Sequence, residues 1–457
     1  MSVRAMILQG GAARLSDLRA VMGQGDFARY ATGHFLSNIG FWMQRIAVGW
    51  LVWTMTVSKA WLGVVAFAEL FPSLLSSFIG GELADRVSRP RLFFVGQVGS
   101  TLVSFALFWG HLTGQLGVWS VTALMVTLGF IAGINLPVRL SMPHQLVPPA
   151  LLPSALAVNT TTFNLSRLLG PAFAAPVLVL YGADAVFFAA FLFNACFLFA
   201  LGPIAYRTAA VVSATRAKLS TVLGDLYRQK VILGVILLQF GQGALIRPAS
   251  ELFPAFADKV FAMGETALAL LNGALGVGAI IGAMALAKPR DDQSALRVIM
   301  STSMVLALSL AVFGITKSLW VAVLVLMVHG AAMSGSNNAA MAYVQLHTPS
   351  DRLGRVLGVY GIVFRVGPAL GALAFGLTAE VMGLAATTLA FAACAVAATF
   401  AYWDVIVTAG AFRGPVAQAK PGEIPEAVRP AARAGMPPAL QPQPVPAAGR
   451  VAKPETR

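Results

Sequence analysis

The chain has 457 residues, of which 58% are hydrophobic and 11% are charged, and its mean hydropathy is +0.77. Soluble domains carry about a quarter charged residues, so this composition excludes an ordinary soluble protein and indicates a polytopic helical membrane protein. The net charge of +14 does not require nucleic acid as a partner, because basic residues accumulate in the cytoplasmic loops of membrane proteins.

Twelve apolar segments, most of them near the length of about 20 residues that a helix needs to cross a bilayer, follow one another along the chain. They predict an all-α polytopic membrane protein with twelve transmembrane helices. The first six helices are predicted at 35–54, 61–80, 92–112, 119–138, 153–181 and 185–206. The last six are predicted at 231–255, 265–287, 298–316, 319–346, 353–380 and 384–407.

The longest internal connection divides these helices into two groups of six. Leu219, Val222, Leu223 and Leu226 lie at helical spacing within it, which favours a short amphipathic helix on the cytoplasmic leaflet over a plain solvated linker. The predicted organisation is a cytoplasmic N-terminal segment (1–34), an N-terminal six-helix bundle (35–206), a linker with an amphipathic helix (207–230), a C-terminal six-helix bundle (231–407) and a disordered cytoplasmic tail rich in Pro and Ala (408–457).

The distribution of Lys and Arg predicts the orientation in the membrane. With the N-terminus placed in the cytoplasm, the cytoplasmic segments hold 25 of these residues, whereas the outer loops hold Lys59, Lys259 and Lys317 alone. Positive charge accumulates on the cytoplasmic side. Both termini are therefore predicted inside, in a multi-pass protein of the bacterial inner (plasma) membrane.

An internal repeat relates the two halves. The sequence Arg-Leu-Leu-Gly-Pro at 167–171 returns as Arg-Val-Gly-Pro at 365–368, which is an offset of 198 residues for the arginine and 197 for the Gly-Pro pair. Several such matches in register favour a duplication with parallel repeats. The predicted hinge and packing residues at the two sites are Gly170, Pro171, Gly367 and Pro368.

The charged segment at 80–91 lies between two apolar segments and must form a loop. Its pattern Gly-x-Leu-Ala-Asp-Arg-x-x-Arg resembles the cytoplasmic loop between helices 2 and 3 of the major facilitator superfamily, although Ser88 and Pro90 depart from the usual residues. The segments at 35–52 and 135–171 resemble a bacterial exporter branch of that superfamily, which includes the enterobactin exporter and macrolide efflux proteins.

This resemblance implies the major facilitator fold, with two pseudo-symmetric six-helix halves and a binding cavity at their interface. It also implies a cytoplasmic gate in which the loop bridges the two halves. The gate residues that it implies are Gly81, Leu83, Asp85, Arg86 and Arg89.

Ionisable residues within membrane helices are costly and are candidates for function. Six such residues lie away from the ends of the predicted helices, four arginines and two glutamates, a net charge of +2 that favours anionic or polyhydroxylated substrates over lipophilic cations. For Arg167 and Arg365, a structural role in capping free carbonyl groups or in bridging helices is the open alternative. The candidates for the substrate cavity are Asn38, Gln44, Arg45, Arg167 and Arg365.

Two carboxylates are candidates for proton coupling, Glu69 and Glu251. Glu251 follows Arg247 by four residues, a spacing that places both on one face of an α-helix and predicts an ion pair. Glu69 has no such neighbour, so it is either a proton carrier, a side chain that reaches the outer interface, or a partner of Arg45.

The sequence therefore predicts a secondary active transporter that exports small amphiphilic compounds, drug-like or siderophore-like, in exchange for protons by alternating access. A lipid or lysolipid flippase of the same fold and a non-transporting membrane sensor or scaffold are the alternatives. No enzymatic centre, cofactor or metal site is expected. The expected partners are a small-molecule substrate, protons and membrane lipids, without nucleic acid, and the expected state is a monomer.

Overall fold

The computed structural model describes residues 18–204, 227, 229–285, 292–403 and 406. The predicted amphipathic helix within 207–230, the predicted tail at 408–457 and the first 17 residues lie outside this part of the chain. The helices are α1 Gly25–Thr56, α2 Lys59–Arg86, α3 Arg89–Leu112, α4 Val118–Leu146, α5 Leu152–Leu201, α6 Lys230–Leu245, α7 Phe253–Lys259, α8 Gly264–Ala285, α9 Asp292–Ile315, α10 Leu319–His347, α11 Ser350–Met382 and α12 Leu384–Trp403. Short 3-10 helices lie at Pro149–Leu151 and Arg247–Leu252.

Ten helices of the described part are long and apolar enough to cross a membrane, and the predicted all-α polytopic fold is confirmed. One of the ten includes α5, whose 50 residues would extend about 75 Å, far more than one crossing requires. Its backbone breaks at Gly182, where φ is 79° and ψ is −178°, a conformation that glycine adopts readily. This break supports two crossings in α5.

Helix α1 is not among the ten, although its 32 residues give a length of about 48 Å. It begins ten residues before the predicted start of the first span. The residues of α1 before the predicted span belong to an aromatic cluster. In it the Tyr30 ring stacks on His34 at 5.4 Å and meets Phe197 at 6.0 Å. The count of twelve crossings stays a prediction, which the length of α1 and the break in α5 support.

The internal repeat is expressed in buried hydrogen bonds at matching positions of the two halves. The Ser104 hydroxyl donates to Gln44 at 2.7 Å between α3 and α1. In the second half the Gln242 amide donates to the Ser303 hydroxyl at 2.6 Å between α6 and α9. The two glutamines are 198 residues apart and the two serines 199, which agrees with the offset read from the sequence.

The two Gly-Pro sites are points of close helix packing. A Cβ on Gly170 would collide with Trp42 of α1. In the second half, a Cβ on Gly367 would lie 2.9 Å from the Phe240 carbonyl oxygen of α6, and a Cβ on Gly243 would lie 2.9 Å from Pro368. Here α5 packs on α1 as α11 packs on α6, so the packing prediction fits the repeat, while a hinge role stays a prediction.

The hydrophobic core is continuous between the halves at one end of the bundle and divided at the other. One cluster joins residues of both halves, among them Trp53 and Phe187 with Phe256 and Phe375. In the described part of the chain, two further clusters lie towards the opposite end, and each contains residues of one half alone. We call the first end the closed end, where α1 and α11 finish and α2 begins, and the second the open end.

Gly278 provides a test of the packing between α8 and α10. A Cβ at this position would overlap the Met327 carbonyl oxygen, whereas a Cβ at Gly273 of the same helix has nothing within 4 Å. We expect Gly278→Ala to destabilise the protein by about 1–3 kcal/mol, and Gly273→Ala to be neutral or slightly stabilising because alanine favours helix. Thermal unfolding of the two purified variants measures the difference, and equal midpoints would contradict this packing.

Candidate functional site

A buried cluster of three charges joins the two halves of the protein. Arg45 of α1 binds Glu69 of α2 at 2.5 Å and Glu251 of the second 3-10 helix at 2.9 Å. The side chains are 18%, 11% and 25% exposed, respectively. Of the three alternatives for Glu69, the structure therefore contains the pair with Arg45. Charge-assisted bonds of this kind are among the strongest in proteins.

The predicted ion pair between Arg247 and Glu251 does not form, because Glu251 is bound to Arg45 instead. The reason lies in the local helix type. Residues 247–252 form a 3-10 helix with three residues per turn, so positions four apart do not share one face as they would in an α-helix. The Arg247 guanidinium donates to Asn337 at 2.7 Å and lies 3.8 Å from the centre of the Phe364 ring.

The other predicted cavity arginines reach neighbouring helices. Arg167 lies over the Trp42 ring of α1, with 5.7 Å to its centre. Arg365 donates to the Ser73 hydroxyl of α2 at 3.0 Å, a contact between the two halves. Both residues lie near the middle of their helices, as the sequence predicts, and both remain partly exposed.

Arg139 is a site candidate that the sequence analysis missed. Its place after a predicted helix end suggested a cytoplasmic loop, but α4 continues to Leu146 and holds Arg139 inside the bundle, 5.7 Å from the Phe163 ring. The repeat offers a signal for it, because an offset of 198 residues relates Arg139 to Asn337, the partner of Arg247.

Asn38 and Gln44 are both buried and are engaged within the first half. The Asn38 amide donates to the His34 carbonyl oxygen at 2.8 Å, and Gln44 accepts from Ser104. These contacts belong to packing inside α1 and between α1 and α3. The structure therefore does not bring these two side chains together with the arginines of the interface.

The predicted gate segment makes its described contacts within or beside α2. Arg86 binds Glu82 at 2.5 Å on the exposed surface, and Arg89 donates to the Ala84 carbonyl oxygen at 3.4 Å. Leu83 packs on the core of the first half, whereas Gly81 faces open space. The Asp85 side chain lies outside the described part. A bridge from this segment to the other half therefore stays a prediction.

At the closed end, Glu380 of α11 binds the start of α2. Its carboxylate accepts from the backbone N–H groups of Lys59 at 2.7 Å and Ala60 at 3.1 Å, and from the Ser58 hydroxyl at 3.2 Å. These are among the N–H groups that an α-helix leaves unpaired at its start, where a negative charge is favourable. The contact joins the two halves at the surface.

The glycines of α2 and α11 show that the two helices separate towards the open end. A Cβ on Gly376 would lie 2.7 Å from the Lys59 carbonyl oxygen and 2.9 Å from the Gly63 Cα. Gly81 and Gly358 each lie 18 residues from these glycines, which is five full turns and therefore the same helix face. No atom lies within 4 Å of a Cβ built on either of them. The facing surfaces touch at Gly63 and Gly376 and no longer touch at Gly81 and Gly358.

Comparison with known sequences decides the family, since residues 18–419 match the family described as "Transmembrane secretion effector". The chain belongs to this family of major facilitator transporters. As a member it is a multi-pass bacterial membrane protein, with ten apolar helices of spanning length in its described part.

Relatives of this transporter include an enterobactin exporter and a staphyloferrin A transporter. The Enterobactin exporter EntS of Escherichia coli is 23% identical over 351 residues, which are 75% of this chain and 82% of that protein. The uncharacterised transporter YfiS of Bacillus subtilis is 24% identical over 383 residues, 79% of this chain and 87% of that protein. The Staphyloferrin A transporter of Staphylococcus aureus is 29% identical over 161 residues. These residues are 35% of this chain and 41% of that relative, which is less than half of its length.

Solved major facilitator transporters share the fold. The D-xylose-proton symporter matches with a TM-score of 0.65 and 14% identity, over 84% of this chain and 98% of that one. A bacterial homologue of the human lysosomal transporter Spinster, solved in an inward-facing and unoccupied conformation, matches with a TM-score of 0.63 and 13% identity, over 84% and 96% of the chains. At these identities the likeness establishes the fold alone.

Proposed function

We propose that the transporter exports small amphiphilic compounds, drug-like or siderophore-like, in exchange for protons. The observation that carries this proposal is the buried cluster in which Arg45 of one half holds a carboxylate of the other. An ion pair between the halves must break when they rock apart, so its charge state is linked to the alternation of access. The name of one relative, the Enterobactin exporter EntS, supports the direction of transport.

The predicted orientation assigns the closed end and the open end to opposite sides of the membrane. With both termini in the cytoplasm, as the excess of basic residues in the inner loops favours, the closed end faces outward and the open end faces the cytoplasm. The cavity of this conformation is then accessible to a substrate from inside the cell, which is the loading state of an exporter.

Proton uptake offers a way to release the closed end. A proton on Glu251 would remove the negative charge of this carboxylate, and with it the coulombic attraction to Arg45, leaving a hydrogen bond from the guanidinium to a neutral carboxyl group. Glu69 lies in the same half as Arg45, so its protonation would loosen the cluster without directly freeing the halves. Glu251 is therefore the carboxylate to which we assign the coupling, and Glu69 holds Arg45 in position.

Flux measurements in proteoliposomes test the coupling, with enterobactin and staphyloferrin A as the compounds supplied. We expect an imposed proton gradient to raise the flux of at least one compound through the wild type, and Glu251→Gln to remove this dependence because a glutamine amide takes up no proton. Glu82→Gln changes an exposed carboxylate of α2 and is the matched control. If the wild-type flux ignores the gradient, coupling to protons fails and facilitated diffusion replaces it.

A further inference from the structure

The turn between α1 and α2, at residues 57–58, lies between two carboxylates of the second half. On the α2 side, the Glu380 carboxylate of α11 accepts from the Ser58 hydroxyl and from the first two backbone N–H groups of α2. On the α1 side, the Trp53 indole N–H donates to Asp258 of α7 at 3.2 Å. The second half therefore holds the first half on both sides of one turn.

The contact of Glu380 with α2 combines charge with hydrogen-bond geometry. Its three donors lie at 2.7–3.2 Å, and the Lys59 ammonium group lies 4.0 Å away. The first N–H groups of an α-helix have no partner within the helix and carry partial positive charge, which favours a carboxylate there. The Glu380 side chain is 41% exposed, so water can replace these donors when the contact opens.

The contact of Asp258 with α1 satisfies a buried donor. Trp53 is only 2% exposed, so its indole N–H depends on an acceptor within the protein. Lys259 lies 3.4 Å from the Asp258 carboxylate and 6.0 Å from the centre of the Trp53 ring, beside the same contact. A buried donor that loses its partner costs free energy. Movement of α7 away from α1 is therefore unfavourable, and this contact also stabilises the closed end.

From these contacts we propose that Glu380, Asp258 and the turn at residues 57–58 form a latch, called the closed-end latch, which keeps the two halves together separately from the Arg45 cluster. Arg45 lies 11 residues before Thr56, the last residue of α1, which is about 16 Å along the helix. The two links thus lie at different depths, and both must open when the halves rock apart. The proposal goes beyond the assigned coupling, because a proton on Glu251 leaves both contacts of the latch in place.

The latch favours the present conformation over the alternative one. A ligand that binds one conformation alone has an apparent affinity reduced by the fraction of molecules in that conformation. A weakened latch should therefore populate molecules that are open at the end closed here, and should weaken binding from the open end by the same fraction.

Distances between spin labels on the purified full-length transporter test the latch without substrate or gradient. The two native cysteines are replaced by serine, and labels at the exposed Gln115 and Lys317 report the closed end from the loops after α3 and α9. Glu380→Ala should raise the ratio of long to short distances by about 2- to 30-fold, the effect expected for the loss of a helix cap. Asp258→Ala should act in the same direction, and the double variant should exceed either single variant.

Asp184→Ala is the matched control. Asp184 is 42% exposed, close to the 41% of Glu380, and it binds His111 within the first half at the same end of the bundle. Its removal breaks an ion pair of the closed end without freeing the halves, so the distance should keep its wild-type value. A shift in this control as large as that of Glu380→Ala, or no shift in the double variant, would overturn the proposal.

A second pair of labels separates release of the latch from a loosened bundle. Labels at the exposed Val87 and Gly354 report the open end. Release of the latch should shorten this distance while the closed-end distance lengthens, whereas an increase in both distances would contradict the latch. Glu380→Gln with Asp258→Asn removes both charges and keeps the size of the side chains, so it should give a smaller shift in the same direction, and it replaces the alanine variants if these do not fold.

The outcomes for the latch and for the proposed function are distinguishable. Flux that ignores the proton gradient would remove the coupling and leave the distance measurements unaffected. Wild-type distances in the double alanine variant, together with flux that depends on the gradient, would keep the coupling and remove the latch.

Discussion

Arg45→Gln is expected to abolish transport and to lower the free energy of unfolding by about 3–5 kcal/mol, the cost of removing one partner from a buried ion pair. The substitution leaves Glu69 and Glu251 facing each other without a counter-charge in a site where they are 11% and 25% exposed. Thermal unfolding of the detergent-purified variant measures the loss of stability, and flux in proteoliposomes measures the loss of transport.

Two further variants show whether the loss comes from unpaired charge. Changing Arg45, Glu69 and Glu251 together to glutamine removes every charge of the cluster, so most of the stability should return while coupled transport stays absent. Arg29→Gln removes an arginine of α1 that is 56% exposed and is paired only with Asp26 in the same helix, and should change little. An Arg45→Gln variant as stable as wild type would show that the cluster does not tie the halves together.

The fold was predictable because it depends on properties that repeat along the chain. Long apolar segments identify the membrane helices, and offsets of 197 and 198 residues identify the two halves and their matching Arg and Gly-Pro sites. The break at Gly182 lies in the predicted gap between the fifth and sixth spans. The exception arises where local chemistry changes the backbone, because the 3-10 helix at Arg247–Leu252 interrupts the predicted seventh span.

The sequence predicted which residues belong to the candidate site, but it did not predict which of them contact one another. An arginine or glutamate within an apolar segment is visible in the sequence, whereas the pairing of Arg45 with Glu251 joins residues 206 positions apart. The spacing of four residues instead suggested Arg247 as the partner of Glu251. That pairing suits an α-helix but not the 3-10 helix found there. Arg139 was missed because the predicted fourth span ended at residue 138, although α4 continues to Leu146.

Leucine at Gly376 is expected to hold the transporter open at the end that is closed here, and leucine at Gly358 to hold it in the present conformation. The first side chain would overlap α2 at the contact between Gly376 and Gly63, while the second projects into open space on the same face of α11. Overpacking of this kind costs about 1–3 kcal/mol, which shifts the balance between conformations by roughly 5- to 150-fold. Both variants should lose most of their transport, for opposite reasons.

Distances between spin labels placed beside the two ends of α2 and on α11 distinguish the two variants, in a chain whose two cysteines are replaced by serine. Labels at the exposed Val57 and Met382 report the closed end, and labels at the exposed Val87 and Gly354 report the open end. Gly376→Leu should lengthen the first distance and shorten the second, whereas Gly358→Leu should keep both at the values of the present conformation. Both glycines lie on one face of α11. If Gly376→Leu alone changes the two distances, and in opposite directions, the halves must rock about a point between the two glycines. If both variants lengthen the first distance, leucine merely loosens the bundle, and the separation of α2 from α11 towards Gly81 is not one state of an alternating cycle.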